Sequence, residues 1–298
     1  MSYLKRLHKR NLIYPPPFVN TNLQYEVIMG SFAYGCSSDM SDTDIYGFCV
    51  PPKNVIFPHT NPDYIHGFDA VPFNFEQYQQ HHIKDVSTKP ERQYDLTIYS
   101  IVKYFKLCAN GNPNMIDSLF VPFRCITHST EVGNLVRENR KMFLTKNSYH
   151  KTKGYSLSQL HKAETKNPTG KRKESVEKYG VDVKYLSHVI RLLDQCEQIL
   201  LFGDLDLERS KEQQKAVRRG EMSLKEVKEY FAAKEPQLEK LYHESTAVPH
   251  RPDENAIKDL LMKCLEIHYG KLDDVIIKPT RERDILNDLS NLLGKYNG

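Results

Sequence analysis

The segment "YEVIMGSFAYGCSSDMSDTDIYGFCV" (Tyr25–Val50) constrains this chain more than any other. A short apolar run is stopped by Gly30-Ser31, which reads as a buried strand ending in a tight turn. Ten residues later, Asp42 and Asp44 open a second β-forming run, Thr43–Val50, that ends at Pro51-Pro52. Side chains two apart on a strand share a face, so Asp42 and Asp44 present both carboxylates to one side. Two acids that close repel unless a cation sits between them. Mg²⁺ suits the place, because it is a hard ion that takes one or two carboxylates together with phosphate oxygens. Gly30 allows the backbone to approach a ligand, and Ser31 adds a hydroxyl. If a helix starts at the turn, its free N–H groups favour phosphate. Taken together, these features describe a cradle for a metal-bound polyphosphate.

The rest of the chain divides by periodicity. Residues 53–94, with Pro62, Gly67, Pro72 and Pro90, are expected to supply short strands and a mobile loop. In "DLTIYSIVKYFKLCANGNPN", Ile98, Ile101, Val102, Phe105 and Cys108 recur at helical spacing up to the stop at Asn110-Gly111-Asn112-Pro113. From about residue 129 the pattern is helical almost throughout. Val181–Leu201 carries one apolar face (Leu186, Val189, Ile190, Leu193, Cys196, Leu200), and Ser223 reads as the N-cap of a later amphipathic helix. The expectation is an α/β part over 1–128 and a helical part over 129–298.

Composition narrows the class. The 298 residues suffice for two ordinary domains or one large one, and 39% hydrophobic with 27% charged residues fits a soluble globular protein. No stretch approaches the roughly 18–20 apolar residues of a membrane span. The N-terminal residues lack the apolar core of a signal peptide, so a cytoplasmic location is expected. Six scattered cysteines without a C-x-x-C pair read as reduced, mostly buried thiols, not as disulfides or a zinc site. The net charge of +4 leans slightly toward a polyanionic partner. The basic run Lys166–Lys178 reads either as a solvated loop or as a contact for a phosphate backbone.

Lys184, His188 and Arg191 follow i, i+4, i+7, a basic stripe opposite the apolar face of the 181–201 helix. It reads as a solvated face or as a clamp on a triphosphate, where dense charge calls for cations. His81-His82 reads as a surface pair more readily than as a metal site. Asn112 and Asn114 fit a cap, Asp117 a helix start or cap, and Tyr34 and Tyr46 either packing or stacking on a base. Lys153–Lys162 is a plain helix or part of a cleft wall.

The joint pattern resembles the DNA polymerase β-type nucleotidyltransferase superfamily, whose signature is hG[GS], a short helix, then Dh[DE]; "GSFAYG" and "SDTDIYGF" match it. "DLTIYSIVKYFKLCANGNPNMIDSLFVP", "VDVKYLSHVIRLLDQCEQIL" and "AVRRGEMSLKEV" look like the branch named for an RNA-repair pathway (RlaP-like), over about residues 24–230. The resemblance implies an α+β fold: a polymerase-β-like core of a small mixed sheet with helices, followed by a helical domain that covers the nucleotide. It implies a third carboxylate from a later strand, best matched by Asp95, and two Mg²⁺ (or Mn²⁺) ions held by Asp42, Asp44 and Asp95. It favours the clamp reading, with Gly30, Ser31, Lys184, His188 and Arg191 on the nucleotide. The activity implied is transfer of an NMP from an NTP to a hydroxyl with release of pyrophosphate. RNA, such as a tRNA end, is the first candidate acceptor, and a protein hydroxyl or a small molecule the alternatives. The choice of NTP and the oligomeric state are not legible.

Two rivals stand beside this reading. Glycosyltransferases also use D-x-D, but after a larger nucleotide-binding sheet than about forty residues can build. A non-catalytic nucleotide- or RNA-binding module would not call for three clustered carboxylates. A P-loop kinase is disfavoured, because no G-x-x-x-x-G-K-[ST] occurs.

Overall fold

The computed structural model describes residues 2–37, 41–56, 75–88, 91–166 and 171–270. The loop expected around Pro62, Gly67 and Pro72, the position of Pro90, and the end of the helical part (271–298) lie outside the described residues. In chain order the elements are α1 (Tyr3–Lys9), α2 (Pro17–Thr21), β1 (Leu23–Ile28), α3 (Gly30–Ala33), β2 (Thr43–Cys49), α4 (Lys53–Ile56), β3 (Gln77–Asp85), β4 (Arg92–Ser100), α5 (Ile101–Ala109), α6 (Pro113–Phe120), β5 (Ile126–Ser129) and α7 (Glu131–Glu138). The helical part continues with α8 (Ser148–Thr165), α9 (Lys171–Tyr179), α10 (Val183–Phe202), α11 (Lys211–Arg218), α12 (Leu224–Glu244) and α13 (Glu254–Tyr269).

The strands form one mixed sheet in the order β3-β4-β2-β1-β5. β2 and β4 run parallel, and the other pairs are antiparallel. One sheet face buries Ile45, Ile83, Leu96 and Ile98 under Leu4, Leu7, Ile13 and Val19 of the N-terminal segment. That segment is tied down by Glu26 on β1, which is fully buried and accepts the Tyr3 and Leu4 N–H groups at 2.6 and 2.8 Å. The opposite face presents Tyr25, Val27 and Phe48 to the helices, in a core that continues through Tyr104, Leu119, Val189 and Ile190 to Leu265.

Local chemistry sets the helix limits. Asn112 caps α6 by accepting from the N–H groups of Asn114 and Met115. Asp182 caps α10, and Gly203 ends it in the left-handed region at φ 58°. Ser223 and Glu226 form a capping box at the start of α12, which runs through Pro236. The helix expected from Ile98 instead begins at Ile101, with Ser100 as its N-cap. Leu96 and Ile98 alternate with Asp95, Thr97 and Tyr99 at strand period, and this alternation runs straight into the helical spacing that follows. All six cysteines are buried free thiols. Among the described residues, no helix is long and apolar enough to cross a membrane.

Candidate active site

The acid pair lies at the start of β2, Asp42 one residue before it and Asp44 within it. The Met29 N–H donates to the Asp44 carbonyl at 2.7 Å, which locks the end of β1 to the start of β2. Gly30 follows at φ +63°, a conformation that side chains resist. A Cβ placed there would stand 1.9 Å from Asp44 Oδ2, so the backbone lies directly against the carboxylate. Glycine is therefore required twice over, by its dihedral and by its neighbour. The four-residue α3 starts at this turn.

Asp95 is brought in by the sheet. In the parallel β2–β4 ladder Asp44 pairs with Asp95. Their Cα atoms sit on adjacent strands, whose usual spacing is about 4.8 Å, and their side chains share the face that also carries Tyr46. Burial raises the Asp44 pKa; Lys184 opposes the rise, and the charges of Asp95 and Asp42 add to it. Those opposed charges mark a carboxylate cluster that a cation would relieve.

Asp95 is also held from the far side. A bulge in β3 between Gln80 and Ile83 puts His82 in the left-handed region at φ 55°. Its N–H donates to Asp95 Oδ1 at 2.7 Å, and His81 Nδ1 lies 3.5 Å from the same oxygen. A non-glycine residue at such a φ is uncommon, and here the bulge aims an N–H at a functional carboxylate. Both histidines are exposed, as expected, yet both serve Asp95.

Across from the acids lies the N-terminal half of α10. A cleft of about 510 Å³ is lined by Gly30, Ser31, Asp42 and Asp44 on one side and by Lys184, His188 and Arg191 on the other. Asp95 stands beside it on the neighbouring strand, outside the lining. Arg172 of α9 and Arg218 of α11 also line the cleft, and the sequence reading did not single out either one. Arg172 lay inside the basic run Lys166–Lys178, and Arg218 inside "AVRRGEMSLKEV". Arg218 reaches neutral oxygens, Ser187 Oγ at 3.3 Å and the Cys36 carbonyl at 2.9 Å.

The basic stripe is not uniform. Lys184 is exposed in the first turn of α10. His188 is held neutral: burial and the charges of Arg191, Lys184, Arg218 and Arg172 push its pKa well below the ordinary value. Arg191 is only 5% exposed. It donates to Tyr34 Oη at 2.6 Å and forms an ion pair with Asp117, whose carboxylate also accepts from Tyr34 Oη at 2.7 Å. The guanidinium lies 4.2 Å from the centre of the Tyr34 ring. Burial works against the cation, but Tyr34 and Asp117 outweigh it and keep Arg191 charged. This corrects one expectation, since Asp117 is an ion-pair partner inside α6 and not a cap, and it decides another, since Tyr34 packs in the same buried triad. The i, i+4, i+7 spacing identified the face but could not show that its third member would meet a buried acid from another helix.

The model of the family described as "RlaP: RNA repair pathway DNA polymerase beta family" matches residues 2–263. The chain belongs to the RlaP family. The match runs through both the sheet and the helical part, so the fold is the α+β polymerase-β-like nucleotidyltransferase core with its helical C-terminal portion. An uncharacterized 38.9 kDa protein from the nrdC-mobD intergenic region of Enterobacteria phage T4 is 28% identical over 121 residues. That alignment covers 40% of this chain and 32% of the phage protein, so the chain spans about a third of the length of this curated relative. A nucleotidyltransferase-like protein from Exiguobacterium sibiricum 255-15 aligns over 89% of this chain and 90% of its own, at 10% identity and a TM-score of 0.27.

Proposed function

We propose that this RlaP-family chain is a metal-dependent nucleotidyltransferase that moves an NMP from an NTP to a hydroxyl of RNA. One observation carries the reading: Asp44 is packed against Gly30 and paired in register with Asp95, in a cleft whose opposite wall is cationic. The donor set fits Mg²⁺, since Asp42, Asp44 and Asp95 offer only hard oxygens. Among the described residues, no three acid, histidine or cysteine side chains stand ready to cage an ion by themselves. An ion held by Asp42 and Asp44 would take its remaining ligands from phosphate oxygens, as Mg²⁺ commonly does. When bound, it would polarise the α-phosphate and offset the charge that develops on the leaving group.

The chain's own groups divide the remaining work. Gly30 and Ser31 receive the phosphates against the turn. Lys184, Arg191, Arg172 and Arg218 offset their charge from the helical side, and neutral His188 can accept or donate a hydrogen bond among them. Asp95, aimed by the His82 N–H, faces the acceptor and orients its hydroxyl. The hydroxyl oxygen bonds to the α-phosphorus and the α–β anhydride bond breaks. Pyrophosphate leaves, and the hydroxyl proton passes to Asp95 or to solvent. RNA is put first among acceptors by the family's description and by the net positive charge.

The test supplies each of the four α-labelled NTPs in Mg²⁺ with total RNA, protein extract or a metabolite pool. Label in RNA with release of pyrophosphate is the expected result. Label in protein or in small molecules would overturn the acceptor, and label in no fraction with any NTP would overturn the transfer.

A further inference from the structure

Beyond Arg172, His188 and Arg191 the cleft opens into a second compartment of about 470 Å³, which shares these three residues and Asn114 with the first. Its far wall is α8. Tyr155, Gln159 and Lys162 line it at i, i+4 and i+7 on one stripe of the helix, and Lys166, the extended residue that caps its C-terminus, lines it beyond the last turn. At 1.5 Å per residue the helical part of the stripe, Tyr155 to Lys162, is about 10 Å long. Tyr155 is an exposed aromatic, 46% accessible. Tyr185 lines the other side, with the Arg172 guanidinium 4.8 Å from its ring centre.

The chemistry of this compartment differs from that of the first. Among the described residues lining it, none is acidic. It offers Lys162 and Lys166, Arg172 ion-paired with Asp182 at 3.2 Å, Arg191 ion-paired with Asp117, the exposed Tyr155, the buried Tyr185 and amide side chains. The first compartment already has a volume suited to one nucleotide ligand and contains the acids and the Gly-Ser turn. A neutral nucleobase would not call for Lys162, Lys166 and Arg172 together. Spaced cations beside an exposed aromatic ring match a single-stranded polynucleotide, whose phosphates track the cations while a base stacks on the ring.

We propose that the α8 stripe Tyr155–Gln159–Lys162, with Lys166, Tyr185 and Arg172, is a binding subsite for single-stranded RNA that leads the acceptor strand to the acid cluster. The subsite rests on the reading of the chain as a nucleotidyltransferase acting on RNA. Binding can nevertheless be measured without turnover, so the two can fail separately. The strand enters past Lys166 and Lys162, stacks on the exposed ring of Tyr155 and delivers its end hydroxyl toward Asp95, while the buried Tyr185 backs Arg172 from the other wall.

The test measures fluorescence anisotropy of a short labelled single-stranded oligoribonucleotide of mixed sequence with the full chain, wild type against Lys162→Gln/Lys166→Gln and Tyr155→Ala. NTP binding is measured in parallel by calorimetry with each of the four NTPs. Tyr155→Ala is expected to weaken RNA binding by about tenfold or more. The double lysine variant should flatten the dependence of log K on log salt by about 0.7 for each lysine lost. NTP affinity should change by less than about twofold in both, because neither variant touches the first compartment. All three positions are at least partly exposed, and unchanged thermal melting confirms intact folds. Equal loss of NTP and RNA affinity would place the nucleotide, not the strand, in the second compartment and overturn the proposal. RNA binding unchanged in both variants, absent in wild type, or matched in every respect by duplex RNA or heparin would overturn it as well. RNA binding lost as expected in a chain that transfers no nucleotide would leave the subsite standing and remove the activity.

Discussion

Asp44 shows how one residue answers to three neighbours. It is pressed from behind by Gly30, repelled by Asp42 and Asp95, and drawn by Lys184. Asp42→Asn or Asp44→Asn should lower Mg²⁺-dependent turnover by about 10³-fold or more, because each removes a charge that offsets the transition state. Far-UV circular dichroism should remain that of wild type, and turnover within tenfold of wild type would contradict the assignment. Gly30→Ala should be as inactive as Asp44→Asn, since the new methyl and the Asp44 carboxylate cannot share one place. The pH dependence follows from the raised pKa. The folded chain binds the Asp44 proton more tightly than the unfolded chain, whose carboxylate titrates near the ordinary 3.8. The contribution of Asp44 to stability is therefore full below that ordinary value and is lost as pH rises through the raised one. In chelator, Asp44→Asn should melt above wild type at neutral pH, and the gap should close on acidification. Mg²⁺ requires the ionised carboxylate, so it should raise the wild-type melting temperature more at neutral than at acid pH. A gap that widens on acidification would refute the sign.

Among the elements, α10 has two tasks, and its sequence shows only one of them. The apolar positions Leu186, Val189, Ile190 and Leu193 announce a buried helix, and burial at these positions follows. Nothing in the spacing of Lys184, His188 and Arg191 distinguishes an exposed lysine from an arginine closed into a triad with Tyr34 and Asp117. That difference is set by α6, a separate helix more than sixty residues earlier in the chain. Arg191→Ala is consequently a stability variant: leaving Asp117 buried and unpaired should cost about 3–5 kcal/mol. The double variant Asp117→Ala/Arg191→Ala should recover part of that loss in a denaturation series. The clean probe of phosphate contact is Lys184→Ala. It should weaken NTP binding by about 1.5–3 kcal/mol, leave nucleoside binding nearly unchanged and leave the melting temperature alone. If Arg191→Ala folded as well as wild type and lost only NTP affinity, the arginine would be a free clamp and not a strut. The β3 bulge teaches a related lesson. The sequence showed His81-His82 only as a surface pair, and it is the pairing with β4 that shows His82 delivering an N–H to Asp95.

At the scale of the whole molecule, β1, the turn and the D-x-D strand were legible, as was the helical character after residue 129, whereas the N-terminal helices and β4, whose strand runs straight into helical spacing, were not. Period alone does not report which faces meet. The core that starts at Tyr25 and Val27 on β1 continues through Tyr104 of α5 and Val189 of α10 to Leu265 of α13. Apolar side chains on both sides of residue 128 are thus buried against each other, and exposing either set would forfeit roughly 25 cal/mol for each Å² of apolar surface uncovered. We therefore expect the full chain to unfold in one cooperative transition, with tryptic fragments of the sheet part alone remaining unstructured. The candidate cleft lies across this same junction, between the β1–β2 turn and α10, so a ligand there contacts both parts and binds only when they are joined. A non-hydrolysable NTP with Mg²⁺ at about 100 times its Kd should then add about 2.7 kcal/mol to global unfolding. Hydrogen exchange should slow in β2 and in α10 together. Protection confined to one of the two, or two separate melting transitions, would mean that the sheet and the helices fold and bind independently.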